Sequence, residues 1–166
     1  MKIPASSVRA GRRGYILIMT LAFLSISLVL FGSVMYWAAT NSQLTVRNNL
    51  FTAAQGAAEG ATEKVISKMD RDFNYGTLNS VSSYSALLPD QTGWPVQFQF
   101  SGTNGTADET TVVIGSSQWQ VLGSQYAGLS GNAYNCTVAS VATTTGQPYS
   151  TSATVQQGVQ FASIPV

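Results

Sequence analysis

From Tyr15 to Ala39 the chain reads YILIMTLAFLSISLVLFGSVMYWAA, and no charged side chain appears between Arg13 and Arg47. At 1.5 Å rise per residue, about 25 such residues make a helix of roughly 37 Å. A bilayer core of about 30 Å needs about 20 apolar residues, so this run spans one with some tilt. Only a helix satisfies each backbone amide in lipid without a partner strand. Tyr36 and Trp37 stand near the far end, where ring bodies favour the membrane–water boundary. A buried helix of a soluble protein is rarely this long and charge-free. A cleaved secretory signal needs an apolar region of only about 7–15 residues followed by small residues. The serious alternative is an uncleaved anchor with no further role.

Charge sets the orientation. Lys2, Arg9, Arg12 and Arg13 all precede the run, and Glu59 is the first acidic residue. Positive charge on the cytoplasmic side puts the amino terminus inside and everything after Ala39 outside. Elsewhere ions are scarce: charged residues make up 9% of the chain and the net charge is +1. With no basic patch outside the first 14 residues, nucleic acid is not an expected partner.

Beyond the run a helical pattern continues to Phe73 in a different key. Leu50, Ala54, Ala57, Ala58, Ala61, Val65, Met69 and Phe73 step by three and four and make one apolar stripe. Within it AAQGAAEGA is almost all small side chains. The expected packing face is Ala54, Gly56, Ala57, Ala58, Gly60 and Ala61, set against a sheet or a neighbouring helix. Gly56 and Gly60 each cost about 1 kcal/mol relative to Ala inside a helix, so something should offset them. Their four-residue spacing is a weak signal outside a membrane. Residues 15–73 therefore read as one helix, half in lipid and half outside, with Asn41, Ser42, Asn48 and Asn49 marking the place for a bend.

Residues 74–95 read as a loop, with Tyr75-Gly76, a serine cluster and Pro89-Asp90 as punctuation. Residues 96–166 read as antiparallel sheet. Val96–Phe100 alternates with period two, Thr110–Ile114 and Trp119–Leu122 follow, and Tyr134–Ala142 with Ser152–Phe161 flank a turn-rich loop. The expected class is α+β: a long amino-terminal helix followed by a small antiparallel sheet. The apolar end Phe161–Val166 is either a buried last strand or the front part of a longer polypeptide, and we expect the latter.

Catalysis is not expected. There is no histidine, which removes the commonest general base. Cys136, the one cysteine, reads as a small buried hydrophobe in a strand. The acidic pairs Asp70/Asp72 and Asp108/Glu109 read as solvated helix-end and turn residues, with calcium as the minor alternative. Neither a cofactor nor a resident metal is expected. The patterns Asn104-Gly105-Thr106 and Asn135-Cys136-Thr137 match a glycosylation signal by chance.

Gly11-Arg12-Arg13-Gly14-Tyr15 abuts the apolar run directly, behind a leader of residues 1–14. This resembles a prepilin leader, cut on the cytoplasmic side by a membrane prepilin peptidase. The resemblance implies a cut after Gly14, with Tyr15 as the new amino terminus and methylated there. Together with Arg47-Asn48-Asn49 and Ala53–Ala61, residues 11–73 are similar to the amino-terminal module of minor type IV pilins of the PilX kind. They are less closely similar to GspK-type pseudopilins of type II secretion. Major pilins carry a glutamate at the fifth mature position, which here is Met19. In the family that carboxylate pairs in lipid with the amino terminus of the subunit ahead, an interaction strengthened by the apolar medium. Its absence implies a minor, tip-located subunit. The implied partners are other pilin-like subunits through the helix, an inner-membrane assembly platform, the prepilin peptidase and the lipid bilayer. Two other functions stay open: a type II secretion pseudopilin, and a single-pass anchor holding an exported adhesive domain.

Overall fold

In the computed structural model the described residues are 10–76, 78–123 and 127–164, with side chains from Tyr15 onward. The order is α1 (Ala10–Asn74), α2 (Val81–Ser85), β1 (Gln97–Ser101), β2 (Thr111–Ile114), β3 (Gln118–Val121), β4 (Ser130–Thr145) and β5 (Ser152–Ser163). This is the α+β layout of one long apolar amino-terminal helix and a five-stranded antiparallel sheet. Two compact units divide the chain, Met1–Val46 and Arg47–Val166.

In the first unit every described side chain from Tyr15 to Val46 is exposed. This helix near the amino terminus is long and apolar enough to cross a membrane. Its hydroxyls do not oppose that. Thr20 donates to the Leu17 carbonyl, Ser25 to Leu21, Ser33 to Leu30 and Thr40 to Tyr36, at 2.8–2.9 Å. Such back-bonding inside the helix removes the penalty of an unpaired polar group in an apolar medium. Asn41, Ser42, Asn48 and Asn49 are all helical, so the helical hydrogen-bond pattern does not break where a bend was expected. The helix also begins at Ala10, which puts helical backbone within the leader rather than only after Gly14.

In the second unit the sheet is organised on β4. Its sixteen residues carry β1, β2 and β3 end to end along one side and β5 along the other. Phe98 pairs with Thr144, Val112 with Val138, Trp119 with Asn132, and Cys136 with Val159. All four partners run antiparallel, which suits short connections. β4 reaches well beyond the expected Tyr134–Ala142. Gly146, at φ +70°, takes the left-handed position that opens the turn into β5, a conformation cheap only without a Cβ.

Apart from β3, whose Trp119 and Val121 are exposed, the strands turn one apolar face toward α1. Two clusters fill the space between. One joins Ala54, Ala57, Ala58 and Ala61 to Phe98, Phe100, Ala142 and Ala153. The other joins Val65 and Met69 to Tyr84, Val112, Cys136, Val138 and Phe161. The small helix residues leave room for the rings of Phe98 and Phe100, and alanine loses no rotamer freedom on burial. Where the stripe turns bulky, at Val65 and Met69, the facing strand residues are Val112, Cys136, Val138 and Phe161.

Residues 74–95 are not the plain loop expected. They contain α2, a single turn whose serine-rich sequence carries no apolar periodicity, with the backbone of Ser83 donating to the Ser80 carbonyl.

Candidate functional site

The residues of the expected processing site sit on the helix. Arg12, Arg13 and Gly14 have helical backbone, and their side chains lie outside the described residues. Tyr15 is exposed, as is Met19 where the resemblance would put a glutamate. From Tyr15 to Trp37 the large apolar side chains present Ile, Leu, Val and Phe on every side of the helix. Burying one such side chain is worth about 1.5–3 kcal/mol, so leaving this set in water costs on the order of 20 kcal/mol. A surface of that kind needs lipid or other apolar helices around it.

The expected packing face divides in two. Ala54, Ala57, Ala58 and Ala61 are fully buried under the sheet. Gly60 is half-buried, and a Cβ there would lie 3.9 Å from the Pro89 Cβ. Gly56 does not pack on the sheet: it is exposed, and nothing approaches within 4 Å of where its Cβ would be. At about 100° per residue it falls away from the stripe that Ala54, Ala57, Ala58 and Ala61 define. The sheet therefore does not account for its smallness.

Residues 78–95 are tied down at several points. The Tyr84 hydroxyl, on a fully buried ring, accepts from the Asn79 backbone N–H at 2.8 Å and donates to Asp72 at 3.1 Å. Asp72 also takes the Lys68 ammonium at 2.7 Å and the Asn79 amide at 2.7 Å. The Lys68 hydrogen bond holds the Asp72 carboxyl below the usual carboxylate range, against the opposing effect of desolvation. Desolvation pushes the Tyr84 phenol up. Further along, Lys64 donates to the Leu88 carbonyl, and the Trp94 ring meets Phe98 edge-on at 4.9 Å. Thr110 reaches back to Ser85, its backbone N–H donating to that carbonyl at 2.7 Å. Nearer the start of this unit, the Arg47 guanidinium lies 4.6 Å from the centre of the Tyr149 ring.

The remaining candidates stay apart. Cys136 is buried in β4, where desolvation raises its thiol pKa. A neutral, buried thiol is a poor nucleophile. Asp90 bonds the Thr92 hydroxyl and backbone N–H within its own turn, which lowers its carboxyl. Asp70 and Asp108 are exposed, and Asp108 takes a positive φ of 57° in its turn. Among the described residues no group of three or more His, Cys, Asp or Glu side chains comes together to hold a metal ion.

One feature had no sequence signal. Among the described residues β5 pairs only with β4, which places this twelve-residue strand at one side of the described sheet. Pairing partners are non-local, and the pattern of a strand looks the same at an edge as in the middle of a sheet.

Comparison with models of protein families, with curated proteins and with solved structures finds no match to this chain.

Proposed function

We propose that this chain is a minor pilin-like structural subunit. It is held in the bacterial inner membrane by α1, with its amino terminus cytoplasmic and its sheet unit exported, and enters or primes a type IV pilus-like fibre. The observation that carries this reading is the uncharged, wholly exposed apolar helix directly behind Arg12-Arg13-Gly14. A helix with apolar residues all round leaves lipid only if other helices cover it, as they do in a fibre core. Prepilin peptidase would cut between Gly14 and Tyr15. The helical backbone at Gly14 must then open locally, which is cheapest at a residue of very low helix propensity.

Met19 in place of a carboxylate favours a subunit at or near the tip, since nothing on it would neutralise the amine of a subunit ahead. The same features serve a pseudopilin of a type II secretion fibre. The test is Gly14→Ile in the full chain expressed with its peptidase. The expected result is a precursor retaining residues 1–14 in the inner membrane while the unaltered chain is shortened. Normal processing of Gly14→Ile refutes the cut site. An unaltered chain that keeps its leader leaves only the single-pass anchor.

A further inference from the structure

Where the chain enters β1 it forms a cleft of about 430 Å³, lined by Asp90, Thr92, Trp94, Val96, Gln97 and Thr145. Small-molecule sites are clefts of about 300–1,000 Å³ with apolar and aromatic walls and a few polar groups. We infer that this cleft binds one pyranose ring of a neutral saccharide. The inference concerns the sheet unit alone and stands whether or not the chain enters a fibre.

The walls are set before a ligand arrives. Asp90 accepts from the Thr92 backbone N–H at 2.9 Å and from its hydroxyl at 2.7 Å, which closes the turn. The Gln91 side chain holds the Phe98 backbone twice, donating to its carbonyl at 3.2 Å and accepting from its N–H at 3.5 Å. Trp94 is half-buried, with its ring edge-on to Phe98 and its benzo edge 4.0 Å from where a Cβ on Gly60 would stand. That ring is thus held by β1 and by α1 together. Walls that need no ordering on binding cost little affinity. The cleft also lies away from the end of β5. Gln97 pairs with Thr145 and Ser163 with Asn132, thirteen positions apart on β4. That is roughly 43 Å at about 3.3 Å per residue, so the chain leaves β5 at the other end of the sheet.

The unused polar groups set the class of ligand. Among the described residues the one buried side-chain polar atom without a partner is Ser140 Oγ. The Trp94 indole N–H and the Thr145 hydroxyl bond to no other described group, so both are open to water at the cleft. The Gln97 amide, opposite Thr145 in the ladder, adds a donor and an acceptor. Asp90 is the one ionisable side chain on the lining, and each of its oxygens keeps a lone pair beyond the bonds to Thr92. An anion would face this carboxylate with no cation on the lining to pair it. A cation would find a carboxylate whose charge Lys64 already offsets. A neutral ligand rich in hydroxyls suits the set. Its O–H groups donate to Asp90, a charge-assisted bond stronger than a neutral one. Its C–H face packs on the electron-rich face of Trp94.

The experiment uses the full chain in micelles of a detergent without a sugar headgroup, and reads saturation transfer from protein to ligand protons by NMR. The neutral probes are methyl glucoside, methyl galactoside, methyl mannoside and N-acetylglucosamine. N-acetylneuraminic acid and tetramethylammonium are the charged controls. At least one neutral probe should be saturated at millimolar concentration, and neither control should be. Asp90→Asn keeps an acceptor for the turn but removes the charge, and should weaken binding about tenfold. Trp94→Ala should abolish it. Trp119→Phe changes an exposed ring on β3 and should leave it unaltered. Should Trp94→Ala fail to fold, Asp90→Asn combined with Gln97→Ala decides. No saturation of any neutral probe, stronger saturation of a charged control, or full binding by the Asp90→Asn, Gln97→Ala variant overturns the inference.

Discussion

Gly56→Ala separates the two faces of α1 by their energetics. Glycine inside a helix is about 1 kcal/mol less favourable than alanine, because the unfolded chain has more freedom to lose. At Gly56 a Cβ meets no atom within 4 Å, so nothing offsets the gain. The substitution should stabilise the Arg47–Val166 unit by about 1 kcal/mol, or roughly 4 °C in unfolding temperature for a unit of this size. Ala58 is the counterpart, fully buried in the cluster with Phe98 and Phe100. Ala58→Leu forces three more carbons into filled space and should cost about 1–3 kcal/mol. Gly60→Ala should behave like Gly56→Ala, since its Cβ would touch Pro89 and Trp94 only at ordinary contact distance. The assay is thermal unfolding followed by circular dichroism in micelles. A neutral or destabilising Gly56→Ala would refute the reasoning, as would an Ala58→Leu that is tolerated. If both outcomes hold, Gly56 is kept small at a cost to the isolated subunit. Contact with a neighbour in an assembly would account for that.

The tie between α1 and the residues after it should show in two further measurements. Tyr84→Phe strips a partner from the Asn79 N–H and from Asp72, and should cost about 1–3 kcal/mol in thermal or denaturant unfolding. Asp72 has a carboxyl depressed chiefly by Lys68, so its contribution is present above the ordinary carboxylate pKa and is lost as pH falls through the depressed value. Asp72→Asn should therefore lower the unfolding temperature at neutral pH and flatten its fall between about pH 5 and pH 2. An unchanged acid-side slope would count against the pairing.

The helix and the sheet were legible because each has a local period. Leu50, Ala54, Ala57, Ala58, Ala61, Val65 and Met69 step at helical spacing, and all are buried. Gln97–Ser101 and Thr111–Ile114 sit within a residue of where alternation puts them. Gly56 lies off the sheet-facing stripe because its angle on the helix, and not its size, decides its face. α2 escaped notice because Val-Ser-Ser-Tyr-Ser favours turns as much as helix, and contacts from Tyr84 and Ser85 hold it in place. The Tyr84–Asp72–Asn79 cluster and the pairing of all four other strands with β4 depend on which distant residues meet. No spacing along the chain records that.

Whether the apolar helix is a processed assembly element is tested most directly by the intact mass of the native protein extracted from membranes. The account predicts a chain beginning at Tyr15 with a methylated amine, recovered only with detergent. A polypeptide that still begins at Met1 would contradict it, as would a monomer soluble without detergent.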